Sequence, residues 1–324
     1  MKIKLFTHDD LDGIGCHIAM NNLWGRENID ALHCGYNSID KEVQKFISRP
    51  ANLDQYDYVF ITDISIPEDI ARQLDKIHHS DQGPFIQLLD HHATALWLND
   101  YEWATVETKV PGTTTKTCGT RMILDFFDVR PGFKAEIKNG LRQFAELVRL
   151  YDTWDWDSLA DDDIKKRNAR WLNNYLYMIG PTRFVQETGA HIWNAGEHPS
   201  VYQKFFTDTA LTLLTHRDDE VEAYIKKKLF QMLVTTTQHG EMGIVFADQH
   251  VSELGNTICK TKKDDIDYVA IIDIATNKVS FRTIRDDLDL GQVAKEFGGG
   301  GHPKAAGAQF SRQLVDGFLD SLFK

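Results

Sequence analysis

Three acid-rich clusters constrain this chain more than any other feature: His8-Asp9-Asp10-Leu11-Asp12-Gly13, Thr62-Asp63-Ile64 and Asp90-His91-His92. Each follows an apolar run (Ile3 to Phe6, Tyr58 to Ile61 and Phe85 to Leu89) that reads as a buried strand. In an open α/β sheet, ligands bind outside the carboxyl ends of the strands. If the three runs share a sheet, the clusters meet at one edge. So many carboxylates in one cleft repel one another unless cations sit among them. Carboxylates mixed with a few imidazoles suit Mn²⁺ or a related divalent ion. The residues alone therefore point to a two-metal hydrolytic centre.

Each cluster also has a plainer use. Alternate residues at a strand end point the same way, so His8, Asp10 and Asp12 can face one cleft; equally, aspartate is a good helix N-cap. Asp63 is either a turn former or a carboxylate that bridges ions. Adjacent His91 and His92 point in different directions, so one can hold a metal while the other meets substrate. Asp90 can hold a histidine ring by its second nitrogen. The pair His78-His79 has no preceding strand or acid and reads as a solvated loop.

The rest of the sequence sets the frame. With 324 residues there is room for two domains. The first ~190 residues alternate strands and helices, as a parallel sheet requires. A helix after Gly13, with Ile14, Ile18 and Leu23 facing inward, is expected to reach Gly25. Another, from about Lys134, carries Ile137, Leu141, Phe144, Val148 and Tyr151, and delivers Asp152 directly after it. Residues 155–200 lack periodicity and read as short helices. A long helix is expected over 201–234, with Val201, Phe205, Leu213, Val221, Ile225 and Leu229 as apolar positions. A second α/β unit begins at Met242, with a strand over 243–247, a helix over 252–260, a hairpin of 268–274 with 278–284, and a short helix over 290–297. The expected boundaries are a catalytic domain at 1–195, a helical connector at 196–240 and a smaller substrate-binding α/β domain at 241–324.

That second unit carries its own signal. The run Gly298-Gly299-Gly300-Gly301-His302 lets backbone amides approach an anion; its plainer use is a helix C-cap. Arg282 and Arg285 could clamp phosphate. Trp154, Trp156, Trp171, Tyr175, Tyr177 and Trp193 could stack bases, although core packing is the commoner use. The net charge of -12 and the lack of a basic run longer than Lys226-Lys227-Lys228 favour a short phosphate substrate over a long polymer. Four separated cysteines read as reduced thiols. No apolar run could span a bilayer and the amino terminus turns polar too soon for a signal peptide, so no membrane association and a cytoplasmic location are expected.

Taken together, these motifs resemble the DHH phosphoesterase family. Asp90-His91-His92 is its name-giving motif, His8-x-Asp10-x-Asp12-Gly13 its first, Asp63 its second and Asp152 its fourth. The stretch from Ser280 to Gly307 is similar to the family's DHH-associated C-terminal domain. The resemblance implies two Mn²⁺ ions, with Mg²⁺ or Co²⁺ as alternatives. His8, Asp10 and Asp63 would hold one, and Asp12, Asp63, His91 and Asp152 the other. Asp63 and His92 would be catalytic, with His92 on the scissile phosphate and Asp90 behind the histidines. Arg282, Gly299, Gly300, Gly301 and His302 would bind the substrate's terminal phosphate, sugar or base. The implied activity is hydrolysis of short oligoribonucleotides to mononucleotides by a metal-activated water. A phosphatase for adenosine 3′,5′-bisphosphate, a cyclic-dinucleotide phosphodiesterase and a non-enzymatic nucleotide sensor are alternatives. A homodimer is left open.

Overall fold

The computed structural model describes residues 1–80, 83–129, 139–195 and 205–323. The chain divides into two compact units, Met1–Leu214 and Thr215–Lys324. Among the described residues, no helix is long and apolar enough to cross a membrane. The four cysteines are buried and free.

The first unit is built on β1 (Ile3–His8), α1 (Leu11–Trp24), β2 (Ile29–Cys34), α2 (Ile39–Ile47), α3 (Pro50–Leu53), β3 (Tyr58–Thr62), α4 (Glu68–His78), β4 (Phe85–Asp90), β5 (Ala104–Val106), α5 (Gly119–Val129), α6 (Asn139–Asp152), α7 (Ile164–Ile179) and α8 (Pro181–Ala195). The sheet order is β2-β1-β3-β4-β5 and every pairing is parallel. Strand residues alternate between two cores. Ile3, Leu5, Phe60 and Leu89 pack under α1, α5 and α6, while Phe6, Val59, Ile61, Ile86 and Leu88 pack under α2 and α4. Burial on both faces explains why these strands read as continuous apolar runs. The chain steps from β1 to β2 on one side, then to β3 on the other. That reversal opens the crevice beside β1 where ligands bind in such sheets.

Several local expectations need correction. Helix α1 is buried from Leu11 to Met20 on nearly all sides, apart from half-buried His17, because α5, α6 and α8 pack around it. Lys134 and Ile137 lie outside the described residues; Leu141, Phe144 and Val148 form the expected buried stripe, and Asp152 is the last residue of α6. The stretch after it opens with a short 3-10 helix, Asp155–Ser158, as expected, but the rest is α7 and α8, of 16 and 15 residues. Trp171, Leu172, Tyr175 and Leu176 give α7 its buried face. His78 ends α4 and His79 caps it, so that pair is a helix terminus and not a loop.

The expected helix over 201–234 is α9 (Asp208–Phe230). Val201 lies outside the described residues, and Leu213 is 48% exposed. Within the first unit Ala210 and Leu214 pack into its core; Val221 and Ile225 belong to the core of the second. The helix ends before β-branched residues take over, and Leu233–Thr237 is a strand, β6. β7 (Gly240–Phe246), α10 (Val251–Thr261), β8 (Tyr268–Asp273), β9 (Lys278–Arg282), α11 (Leu290–Glu296), β10 (Gly300–His302), β11 (Ala305–Gln309) and α12 (Arg312–Phe323) complete the second unit. Its sheet order is β10-β11-β9-β8-β7-β6, antiparallel except between β7 and β8.

Candidate metal centre

The three clusters do meet, at the carboxyl edge of the first sheet. Asp10 plays both of its possible roles. Its Oδ1 accepts hydrogen bonds from the backbone N–H of Asp12 and Gly13, each at 3.1 Å, and so caps α1. Its Oδ2 lies 2.9 Å from His8 Nδ1, out of hydrogen-bond alignment. Asp12 turns inward and is buried. Its carboxylate accepts from the backbone N–H of Gly119 at 2.5 Å and Thr120 at 2.8 Å, the amino-terminal amides of α5. A Cβ on Gly119 would sit 2.8 Å from Asp63 Cβ and 3.1 Å from Asp12 Oδ2, so only glycine lets α5 approach this closely.

Asp63 is the hub. It leaves β3 with a positive φ of 58°, held by its N–H bond to the Leu89 carbonyl at 2.9 Å. Its two oxygens reach two sides: Oδ1 lies 3.1 Å from His91 Nε2, and Oδ2 lies 3.8 Å from His8 Nδ1. His91 Nε2 also lies 3.5 Å from Asp152 Oδ2 and 3.7 Å from Asp12 Oδ2. Three sets of ligand atoms come within 4.8 Å of one another: His8, Asp10 and Asp63; Asp12, His91 and Asp152; and Asp63 with Asp90, His91 and His92. Fully buried Asp90 accepts from His92 Nδ1 at 2.7 Å and from the His91 N–H at 2.8 Å, which fixes the His92 ring. The metal-ligand candidates from His8 to Asp152, together with Asp90 and His92, thus lie in one cluster.

The electrostatics follow from the crowding. Burial, then the charges of Asp12 and Asp10, push the Asp63 carboxyl well above the usual carboxylate range. The same causes raise Asp152 to about 8. Burial lowers His91. Burial also opposes the charges on His8 and Asp10, but their mutual attraction wins and moves them apart, His8 up and Asp10 down. The hydrogen bond to Asp90 raises His92. Buried His8 Nδ1, Asp63 Oδ2 and Asp90 Oδ2 have no hydrogen-bond partner. A divalent cation would satisfy the unpartnered lone pairs and the repelling carboxylates together, so this residue set fits a metal centre.

Tyr36, which no motif flagged, also faces the cluster. Its hydroxyl lies 3.3 Å from His92 Nε2. Burial and the nearby acids, Asp63 first, raise it to about 12. Of the aromatic set, Trp156, Trp171 and Tyr175 are core residues, whereas Tyr177 is 69% exposed.

In the second unit, Arg282 and His302 lie in one row, because each pairs with Ala305 of β11. Opposite residues share a sheet face, so the two project the same way, two strand spacings or about 10 Å apart. The Arg282 guanidinium donates to the Phe281 carbonyl at 2.9 Å and to Ser252 Oγ at 3.2 Å. Arg285 pairs instead with Asp267 and Asp287. The glycine run differs from an open amide nest. Gly298 and Gly299 donate to the carbonyls of Lys295 and Ala294 at 3.0 and 2.9 Å, so these two amides cap α11. A Cβ on Gly299 would lie 2.1 Å from the Gly307 oxygen. Gly300 and Gly301 continue as β10.

Residues 239–324 match the family model described as the DHHA1 domain. The chain is 32% identical over 320 residues to oligoribonuclease NrnB of Bacillus subtilis strain 168, covering 99% of this chain and 76% of that protein. Among solved structures, it is similar to the DHH domain of a member of a family of ribosomal proteins, with a TM-score of 0.61 at 12% identity, covering 100% and 87% of the two chains. It is also similar to exonuclease RecJ bound to manganese, with a TM-score of 0.51 at 14% identity, covering 98% and 88%. At such identities the structural likeness speaks to the fold.

Proposed function

The chain belongs to the DHH phosphoesterase family, and from that premise we propose that it is a Mn²⁺-dependent phosphodiesterase that hydrolyses short oligoribonucleotides to mononucleotides. One observation carries the reading: the single carboxylate of Asp63 faces His8 with one oxygen and His91 with the other. A bridge between two ion sites needs this arrangement. His8, Asp10 and Asp63 would hold one ion, and Asp12, Asp63, His91 and Asp152 the other. When bound, two such ions would supply charge to offset the phosphate and a water molecule whose pKa is lowered toward neutral pH.

The chain's own residues supply the rest. Asp90 holds Nδ1 of His92, which leaves Nε2 to meet a non-bridging phosphate oxygen. The N-terminal amides of α5 hold Asp12 in place against the repulsion of its neighbours. In this reading the catalytic domain spans 1–195, a connector 196–240 and the substrate domain 241–324. Arg282, Gly299, Gly300, Gly301 and His302 grip one end of the substrate. The oligoribonuclease relative and the net charge of -12 favour short RNA over long polymer. The reading puts the enzyme in the cytoplasm; a homodimer is not part of it.

The test is a comparison of kcat/KM with Mn²⁺ for an RNA dinucleotide, a pentanucleotide, a chain of about two dozen nucleotides, adenosine 3′,5′-bisphosphate and cyclic di-AMP. The expected result is fast conversion of the two short RNAs and slow attack on the long one. Dominant turnover of the bisphosphate or the cyclic dinucleotide would overturn the substrate assignment and keep the metal centre. Chelation should silence activity, and Mn²⁺ should restore it better than Ca²⁺, whose larger all-oxygen shell suits imidazole ligands poorly.

A further inference from the structure

Tyr36 is displayed at the crevice by a pinned turn. The Gly35 carbonyl accepts from the Ser38 N–H at 2.9 Å, the Ile39 N–H at 3.1 Å and Ser38 Oγ at 3.0 Å, and Ile39 is buried at the start of α2. The Tyr36 side chain is 56% exposed, yet it crosses the mouth of the cluster. Its ring packs on His8 with centroids 4.7 Å apart, and its hydroxyl lies 3.3 Å from His92 Nε2. His8 ends β1 and His92 follows β4, so one side chain touches residues from two strand ends. An exposed tyrosine that only covered core would have no reason to reach a second imidazole.

Asp90 engages Nδ1 of His92, which turns Nε2 toward the Tyr36 hydroxyl. A phosphate oxygen placed against His92 would meet that same hydroxyl. Resting on the phosphodiesterase reading above, we propose that Tyr36 is a catalytic residue whose hydroxyl, beside His92, donates a hydrogen bond to a non-bridging oxygen of the scissile phosphate. The ring, tilted against His8, sets the reach of the hydroxyl. The hydroxyl and His92 serve one oxygen, so their contributions are coupled.

Tyr36→Phe keeps the ring and removes only the donor. Its melting temperature and its Mn²⁺-induced melting shift should match wild type, while kcat/KM for an RNA dinucleotide should fall about tenfold or more, as for loss of a preorganised donor. In a His92→Ala background the same change should cost less than about twofold, because the shared oxygen has already lost its place. A turnover-free readout accompanies this: with Mn²⁺ present, the variant should bind adenosine monophosphate about fivefold more weakly. Activity within twofold of wild type, an equal loss in both backgrounds, or unchanged adenosine monophosphate affinity would each overturn the proposal. If wild type turns over no nucleotide ester, the phosphodiesterase reading fails by itself, and the affinity comparison still decides the role of Tyr36.

Discussion

The two units prepare for a ligand in opposite ways. In the first, charge is crowded in advance. His91 Nε2 lies within 3.7 Å of three carboxylates, and Asp63 is buried at a positive φ of 58°. In the second, little is left frustrated. The Arg282 guanidinium already has two acceptors, the amides of Gly298 and Gly299 are used by α11, and His302 is exposed on a short strand. The first unit therefore stores electrostatic strain that a cation would relieve, whereas the second holds little such strain. Changes in the first should trade stability against turnover; changes in the second should act on binding.

The largest expected effect breaks the hub. Asp63→Asn should lower kcat by about a thousandfold or more, the upper range for loss of one preorganised electrostatic group. Without metal, the variant should melt at or above the wild-type temperature, because one of several repelling buried carboxylates is gone. The melting shift on adding Mn²⁺ should shrink. A metal-free variant that melts well below wild type would mean that Asp63 stabilises the fold, and the contrast between the units would collapse.

The same contrast explains what could be read from the sequence. His8, Asp10, Asp12, Asp63, His91 and His92 were legible because each sits beside the strand that carries it, and strand ends of one sheet must meet. Asp152 had no such strand; only the family resemblance singled it out. Gly119 was hidden, since its amide reaches an acid 107 residues away and nothing local marks it. Tyr36 was hidden for a similar reason: its importance lies in reach across β1. The glycine run was legible as an unusual backbone, but its first two amides belong to α11, which spacing alone does not reveal. The strand β6 was missed because Leu229 and Leu233 extend a helical spacing, although Val234-Thr235-Thr236-Thr237 carried the opposite signal.

Two changes in the second unit sharpen the comparison with smaller effects. Gly299→Ala forces a Cβ against the Gly307 carbonyl and should destabilise that unit by about 1–3 kcal/mol, the usual range for overpacking. All seven tryptophans lie before residue 215, so tryptophan emission follows the first unit alone. Its unfolding midpoint should not move, while far-ultraviolet circular dichroism reports an earlier loss. A shifted tryptophan midpoint would contradict the separation. His302→Ala should raise KM several-fold and change kcat less, as loss of uniform binding does. An unchanged KM would remove His302 from the substrate site.

The last effect is on acid stability and concerns a half-buried histidine pair outside the metal-ligand candidates. His17 Nδ1 of α1 lies 3.0 Å from His33 Nε2 of β2. Burial, then the charges of His33 and Arg26, lowers His17 to about 4, and burial lowers His33 as well. An unfolded chain binds a proton at each ring near pH 6.5, whereas folded His17 refuses it until about pH 4. The contribution of this pair is therefore full above pH 6.5, falls as the pH drops toward 4 and levels off below, with His17 contributing about 3 kcal/mol at most. In the second unit the hydrogen bond from Arg285 holds Asp287 down to about 2, so that exposed pair stays charged throughout the same window. The raised Asp63 and Asp152 carboxyls act with the opposite sign in this window, so the share of the histidine pair is read as the difference between wild type and His17→Gln in tryptophan-detected melting, which should change by several degrees between pH 6.5 and 4. Wild type should lose stability relative to that variant as the pH falls. If the two profiles stay parallel, the histidine pair contributes nothing to the acid response of the first unit.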